Sequence, residues 1–359
     1  MKRTLSPGYT IGTDAYNDIP TICTRFGHKA VIVGGKRALE AAEKKILDGL
    51  RLSGLQVTGV EWYGGEASVE NIHRLRALTS VQNADMIFAV GGGKAIDTGK
   101  VLAQDTNRPL FTFPTIASTC APFTSQGILY FADGRPDHYT YSRITPNHVF
   151  IDPEIIANAP EIYLWAGIGD ALSKHYESST SARGQNLEYS DAMGVVISKM
   201  SAEPLLKHGI QAMKDCHEHK ITRELEEVIL SIIVATGLTA NYAQFDFSTG
   251  PAHAVYSGLL IVPEVKANHH LHGELVSYGI LLLLLMDKRL DEFERVYKFN
   301  RGMKLPTRLA DIDVKPEHMQ AVAEESVKFP DIRTYPYKIT PDMIVKAMQE
   351  LEEYDAKTR

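Results

Sequence analysis

Ala84-Asp85-Met86-Ile87-Phe88-Ala89-Val90-Gly91-Gly92-Gly93-Lys94-Ala95-Ile96-Asp97-Thr98-Gly99-Lys100 reads as a buried strand, a turn of three glycines and a helix. Met86 to Val90 is a short apolar run, the mark of a strand covered on both faces. Gly91, Gly92 and Gly93 remove every side chain where the strand becomes the helix. Backbone N–H groups can then approach a phosphate, and the positive end of the helix dipole faces the same point. Lys94 adds a full positive charge at the helix start, which is unfavourable against the dipole unless an anion is bound. The stretch therefore predicts an anion-binding turn. It is neither a G-x-G-x-x-G fingerprint nor a Walker A loop, and a tight turn without a ligand fits the same glycines.

The flanking sequence has the same rhythm. Ala30–Val33 is a strand, followed by Gly34-Gly35 and a helix from about Arg37 to Leu50. Gln56–Tyr63 is a second strand, and Ser68 caps a helix running through Arg76. Leu110–Pro114 and His148–Pro153 are further strands. Ile128–Phe131, Ala132-Asp133-Gly134 and Tyr139 onward suggest an inserted hairpin. Alternating strands and helices predict an α/β domain with a Rossmann-like parallel sheet and helices on both faces. Its ligands bind at the carboxyl ends of the strands, where the glycines sit. After Pro160 nearly every segment has helical periodicity, with strongly apolar helices over Leu225–Leu238 and Leu275–Met286. The predicted domains are 1–160, α/β and dinucleotide-binding, and 161–359, all-α, with the active site expected in the cleft between them.

A chain of 359 residues is long enough for two such domains. Its 44% hydrophobic and 23% charged residues are ordinary for a globular protein. A net charge of -6 gives no sign of nucleic-acid or anionic-membrane binding. Cys23, Cys120 and Cys216 lie far apart without a C-x-x-C, which suggests a reducing compartment and no zinc-thiolate site. Met1–Gly8 lacks the apolar core of a signal peptide. Ile280–Met286 is too short to span a bilayer. The expectation is a cytoplasmic protein.

Three polar residues stand out in the apolar second half: Asp170 in Gly167-Ile168-Gly169-Asp170-Ala171-Leu172, His253 in Ala252-His253-Ala254-Val255, and His272 in His269-His270-Leu271-His272-Gly273-Glu274. One carboxylate and two imidazoles suit a divalent metal with an open position, zinc being the usual choice. Each also has an ordinary reading. Asp170 fits a helix N-cap, His253 a satisfied core histidine, and the histidines around residue 270 a solvated loop. Spacing alone does not unite residues so far apart.

Together these motifs resemble the metal-dependent group III alcohol dehydrogenases, in the glycerol dehydrogenase branch. The resemblance covers nearly the whole chain. It rests on Gly91-Gly92-Gly93-Lys94 with Asp97 and Lys100, Pro114-Thr115-Ile116-Ala117-Ser118-Thr119, and the stretches around Asp170, His253 and His272. It implies a nicotinamide-binding N-terminal domain, a helical C-terminal domain and one metal ion between them, the architecture shared with dehydroquinate synthase. By motif match, Asp170, His253 and His272 are the metal ligands. Gly93, Lys94, Thr115 and Ser118 hold the dinucleotide, and Thr124, Gln126 and Tyr130 line its nicotinamide side. Iron-using relatives carry a further His four residues after the Asp. Here Lys174 stands there, and His175 points about 140° away around the helix, so the three-ligand set favours zinc. The mechanism implied is hydride exchange with the nicotinamide ring at a metal-polarised alcohol or carbonyl.

Two departures redirect the expected substrate and cofactor. Glycerol-specific members read Ser-Thr-Asp-Ala-Pro, with the Asp on a substrate hydroxyl. This chain reads Ser118-Thr119-Cys120-Ala121-Pro122. A thiol cannot replace a carboxylate that binds vicinal hydroxyls, and its neutrality admits an anionic substrate. The Thr-Cys-Ala resembles the hydroxycarboxylate dehydrogenase subgroup of A type, which reduces 2-oxo acids; a neutral packing change is the plainer account. NAD-specific members put an Asp after the first strand. Here Val33-Gly34-Gly35-Lys36-Arg37 has no acid and two cations, which suits the 2′-phosphate of NADP(H). Gly35 and Lys36 are thus cofactor residues, unless Lys36 and Arg37 are only a solvated helix start. Lys174 and Arg333 are candidate partners for a substrate carboxylate.

The expected function is metal-dependent hydride transfer between NADP(H) and a small 2-oxo acid/2-hydroxy acid pair, in a homo-oligomer. The alternative is an NAD-dependent glycerol or polyol dehydrogenase. A cyclising lyase resembling dehydroquinate synthase would need a cluster of basic residues near Asp170 or His253, and the sequence has none there.

Overall fold

The computed structural model describes residues 6–51, 54–131 and 134–358, and these form two compact units. The first runs to Leu164 and includes Lys214–Ile229; the second comprises Trp165–Met213 and Leu230 onward. The sequence reading puts 214–229 in the helical domain. The structure packs this segment with the first unit instead, because Cys216 Sγ and His219 Nδ1 both reach the Ala157 carbonyl, at 3.8 and 3.0 Å.

The first unit holds a six-stranded sheet. Its strands are β1 (Gly8–Ile11), β2 (Lys29–Gly34), β3 (Gln56–Trp62), β4 (Met86–Gly91), β5 (Leu110–Pro114) and β8 (His148–Ile151). The order is β1-β8-β5-β4-β2-β3, and every pairing is parallel. The apolar runs of β2, β4 and β5 are buried from end to end, as strands covered on both faces must be. Phe113 stacks on Phe150 at 5.0 Å and packs tilted on Phe88 at 5.0 Å. Such pairs add roughly 0.5–1.5 kcal/mol each beyond area burial. β1 escapes the sequence reading: it is four residues long and pairs with β8 alone.

β4 and β5 end in register, Gly91 beside Pro114, so the glycine turn and Thr115 leave the sheet at the same edge. Ser68 Oγ accepts from Asn71 N at 3.3 Å, the cap the sequence predicts for the helix Val69–Arg76. β6 (Gln126–Tyr130) and β7 (Pro136–Tyr141) form the expected hairpin as a separate antiparallel pair. Ala132 and Asp133 of its predicted turn lie outside the described residues. A fully buried Lys100 anchors the hairpin. Its Nζ donates to Asp97 Oδ1 at 2.9 Å, Thr124 Oγ1 at 3.2 Å and Gln126 O at 2.5 Å, while Asp97 Oδ2 accepts from Ile128 N at 3.1 Å. Every charge in this network has a partner, as burial demands.

The second unit is helical throughout its described residues. Its core runs through His272–Met286, buried from Gly273 to Leu284 except at Glu274. The continuous helical run Arg223–Tyr242 is long and apolar enough to cross a membrane by length and composition, but 61% of its apolar window is buried inside the protein.

Candidate functional site

Three helices of the second unit build the polar site: Ile162–Ser181, Pro251–Leu259 and His272–Met286. Glycines let them approach. A Cβ on Gly169 would stand 2.4 Å from Gly273 O, one on Gly273 would stand 1.8 Å from Ala166 O, and one on Gly279 would stand 2.6 Å from Ala252 O. Side chains at these positions would force the helices apart. With them bare, Asp170, His253 and His272 each offer a ligand atom within 4.8 Å of the others. Asp170 Oδ1 lies 3.5 Å from His253 Nε2 and 3.2 Å from His272 Nε2. Side-chain exposure rises from 12% at Asp170 through 20% at His253 to 39% at His272, so the group opens to one side.

The helix N-cap reading of Asp170 falls. Asp170 sits inside its helix and caps nothing. His272 is the first residue of its helix, and the preceding loop is tied down. His270 bridges Glu274 and Asp313 at 2.9 and 3.0 Å, and Leu271 N donates to Glu274 Oε2 at 2.9 Å. The His272 ring meets Tyr256 edge-on at 4.3 Å.

Sequence reasoning missed Glu177. It lies seven residues after Asp170 on the same helix, about 20° from it around the axis, and its side chain is wholly buried. Its carboxylate accepts from His253 N at 3.0 Å and from His253 Nδ1 at 2.7 Å. A carboxylate on the far nitrogen sets the tautomer and aims the near one, the arrangement that accompanies metal-bound histidine. The available signal was a lone acid two turns from Asp170 in an apolar helix.

Burial pushes the Asp170 carboxyl up, but the two imidazoles beside it outweigh that and hold it well below the usual carboxylate range. Burial pushes His253 down, but the carboxylates of Glu177 and Asp170 outweigh it and bring it up to about 10. Opposite charges gathered this tightly suit a cation that replaces the shared proton. The donor set of one carboxylate oxygen and two imidazole nitrogens fits a divalent transition metal with an open position. Glu177→Gln is expected to weaken zinc binding about 10- to 100-fold while the fold persists. Competition with a chromophoric chelator measures this, and wild-type affinity would leave Glu177 a packing residue only.

The candidate substrate residues separate. Lys174 lies one turn beyond Asp170, and its Nζ donates to the neutral carbonyl of Ser248. His175 turns away, as expected, and its Nδ1 meets Ser198 Oγ at 3.2 Å. Arg333 is exposed and paired with Asp246 Oδ1 at 2.5 Å, so its charge is already neutralised. In the first unit, Cys120 is half-buried at the start of the short turn Ala121–Phe123.

The dinucleotide candidates lie along the carboxyl edge of the sheet. Gly91 has φ +143°, a conformation that side chains resist, and Gly92 starts the helix Gly93–Thr106 without a side-chain cap. The first-turn N–H groups are therefore left for an incoming anion, which fits the phosphates of a dinucleotide. Lys94 corrects the sequence argument. Its Nζ meets Glu66 Oε1 at 2.6 Å and sits 4.9 Å from the centre of the Tyr130 ring, so a protein carboxylate already balances it. Thr115 is buried just past β5 and its N donates to Gly91 O at 3.3 Å; Ser118 is half-buried beyond it. Thr124, Gln126 and Asp97 serve the Lys100 network. Gly35 opens the helix Lys36–Leu50, again without a side-chain cap, and Lys36 Nζ rests 4.6 Å from the centre of the Trp62 ring.

Comparison with known proteins agrees with this architecture. Residues 6–153 match the family described as iron-containing alcohol dehydrogenase. A glycerol dehydrogenase from Escherichia coli is 32% identical over 362 residues, covering 97% of this chain and 96% of its own. Hydroxycarboxylate dehydrogenase A, also from Escherichia coli, is 31% identical over 336 residues, covering 91% and 90%. The crystal structure of glycerol dehydrogenase from Schizosaccharomyces pombe superposes with a TM-score of 0.88 at 27% identity, over 99% of this chain and 92% of that one. Identity near one third along almost the entire chain settles the relationship that the motifs suggested: this chain belongs to the iron-containing, or group III, alcohol dehydrogenases and is a dehydrogenase.

Proposed function

We propose that this dehydrogenase moves hydride between NADP(H) and a small 2-oxo acid/2-hydroxy acid pair, with one divalent ion, zinc, held by Asp170, His253 and His272. The observation that carries the metal-assisted reading is Asp170 Oδ1 within reach of both imidazole Nε2 atoms. When bound, such an ion stabilises negative charge on the substrate oxygen. The chain's own residues supply the rest. Glu177 holds His253 Nδ1–H and so keeps Nε2 turned toward Asp170. The bare turn at Gly91–Gly93 admits the dinucleotide phosphates to the helix N-terminus.

Substrate class rests on Cys120. A thiol in place of the Asp of glycerol-specific relatives removes both the polyol contact and the charge that would repel a carboxylate. Lys174 is the better of the two candidate cations for that carboxylate, because its partner is a neutral carbonyl. Cofactor choice rests on the absence of an acid after β2 and on Lys36, which must leave Trp62 to meet a 2′-phosphate.

An NAD-dependent glycerol dehydrogenase is the second reading, favoured by the name of the 32% identical relative. Initial rates with added zinc separate the two, using 2-oxobutanoate, 2-oxoglutarate and dihydroxyacetone, each with NADPH and NADH. The expected outcome is preference for an oxo acid with NADPH. Preference for dihydroxyacetone with NADH would return the protein to the polyol reading.

A further inference from the structure

Trp62 is a large aromatic ring left in the open. Tryptophan is on average well covered, and Trp165, the chain's other one, is half-buried with its Nε1 donating to Met303 O at 2.8 Å. Trp62 is 44% exposed at the last position of β3. Its backbone is nonetheless held. Arg74 Nη2 donates to Trp62 O at 2.7 Å, and Tyr63 N donates to Gly34 O at 3.0 Å. The sheet register sets Trp62 beside Gly34 on β2, and Gly34 beside Val90 on β4. The indole therefore stands two strand spacings, about 10 Å, from the start of the Gly91–Gly93 turn. Gly35 follows Gly34 into the gap, its N donating to Val90 O at 3.3 Å. A Cβ on Gly35 would make ordinary contacts, 3.6 Å from Tyr63 Cε1 and 3.8 Å from Ala38 Cβ. Packing does not require glycine there, and its bareness keeps the sheet edge open between Trp62 and the glycine turn. Exposed Lys36 lies over the indole, with Nζ 4.6 Å from the ring centre.

We infer that the Trp62 indole is the platform on which the adenine of the dinucleotide stacks, in exchange for Lys36. The inference rests on the reading of Gly91–Gly93 as the site of the dinucleotide phosphates. From a phosphate held there, one extended nucleoside spans the two strands to Trp62. An adenine brings a π face that any aromatic side chain can stack on. Such a stack is worth a factor of about 5 to 150 in binding, whereas an exposed cation–π contact is worth about 2 to 5. The base therefore wins the ring face. The ammonium it displaces is released beside the adenosine ribose, where it meets a 2′-phosphate. Lys36 thus guards the ring in the free protein, and Trp62 reads the base whether or not the ribose is phosphorylated.

Calorimetric titration of the protein with 5′-AMP and 2′,5′-ADP tests this. Neither ligand carries a nicotinamide, so the readout is independent of the metal and of turnover. Trp62→Ala is expected to weaken both ligands by a common factor of about 5 to 150. Trp62→Phe keeps a ring and is expected to recover most of that loss. Lys36→Ala is expected to tighten 5′-AMP about 2- to 5-fold, because nothing then competes for the ring. It is also expected to lower the preference for 2′,5′-ADP over 5′-AMP at least about tenfold. Circular dichroism establishes that each variant is folded. Unchanged binding in Trp62→Ala, or no recovery in Trp62→Phe, would overturn the platform. Unaltered 5′-AMP affinity in Lys36→Ala would overturn the exchange. A 2′-phosphate preference that survives Lys36→Ala, with the Trp62 effects intact, would remove Lys36 from the NADP(H) reading and leave the platform standing. Wild-type protein that binds neither ligand would overturn the dinucleotide reading itself, and this inference with it.

Discussion

Asp170→Asn protein should bind zinc at least about a hundredfold more weakly than wild type and lose about three orders of magnitude in kcat. The substitution keeps size and shape and removes only the negative charge. Asp170 Oδ1 is the atom toward which both Nε2 atoms point, at 3.5 and 3.2 Å. The two imidazoles already hold its carboxyl well below the usual carboxylate range despite burial, so Asp170 itself is ionised at neutral pH. Without that charge a divalent ion loses its one formally negative ligand. Polarisation of the substrate oxygen is worth several kcal/mol, and each 1.36 kcal/mol is about tenfold in rate. Zinc titration and steady-state kinetics on one preparation decide the matter. Zinc affinity within threefold of wild type would remove Asp170 from the ligand set.

On the proposed 2-oxo acid reading, Cys120→Asp should lower kcat/KM for that substrate about 30- to 150-fold and leave dihydroxyacetone reduction unchanged or faster. On that reading a new carboxylate at residue 120 repels a substrate carboxylate bound nearby. At about 6 Å and an effective dielectric constant of about 20, that repulsion is roughly 2–3 kcal/mol. A neutral triose feels none of it and gains an acceptor for its hydroxyls. Measurement of both substrates with the same coenzyme isolates the charge term. Equal losses on both would mean that residue 120 acts through packing, the plainer account of a half-buried cysteine.

Much of the fold is legible in short stretches. The run Met86–Val90 and its glycines announce a buried strand and a turn because burial on both faces leaves a local, continuous apolar signature. Ser68 announces its helix because the cap bond spans three residues. The outward turn of His175 follows from helix geometry alone. Silent features depend on partners distant in the chain. β1 carries too few residues for a pattern and exists because β8 offers it an edge. Lys94 reads as an unbalanced cation until folding brings Glu66 to 2.6 Å. Residues 214–229 read as part of the helical domain until they meet Ala157.

The candidate site divides in the same way. Asp170, His253 and His272 are recognisable in the primary structure as polar residues in apolar surroundings, and their motifs name the family. Their meeting within 4.8 Å depends on Gly169, Gly273 and Gly279, which let three helices touch backbone to backbone. The role of Glu177 depends on His253 arriving beside it from another helix. Local chemistry, meaning residue type, periodicity, capping and turns, is written along the chain because its interactions span a few residues. Distances and buried charge partners arise from contacts between distant segments, which no short stretch encodes.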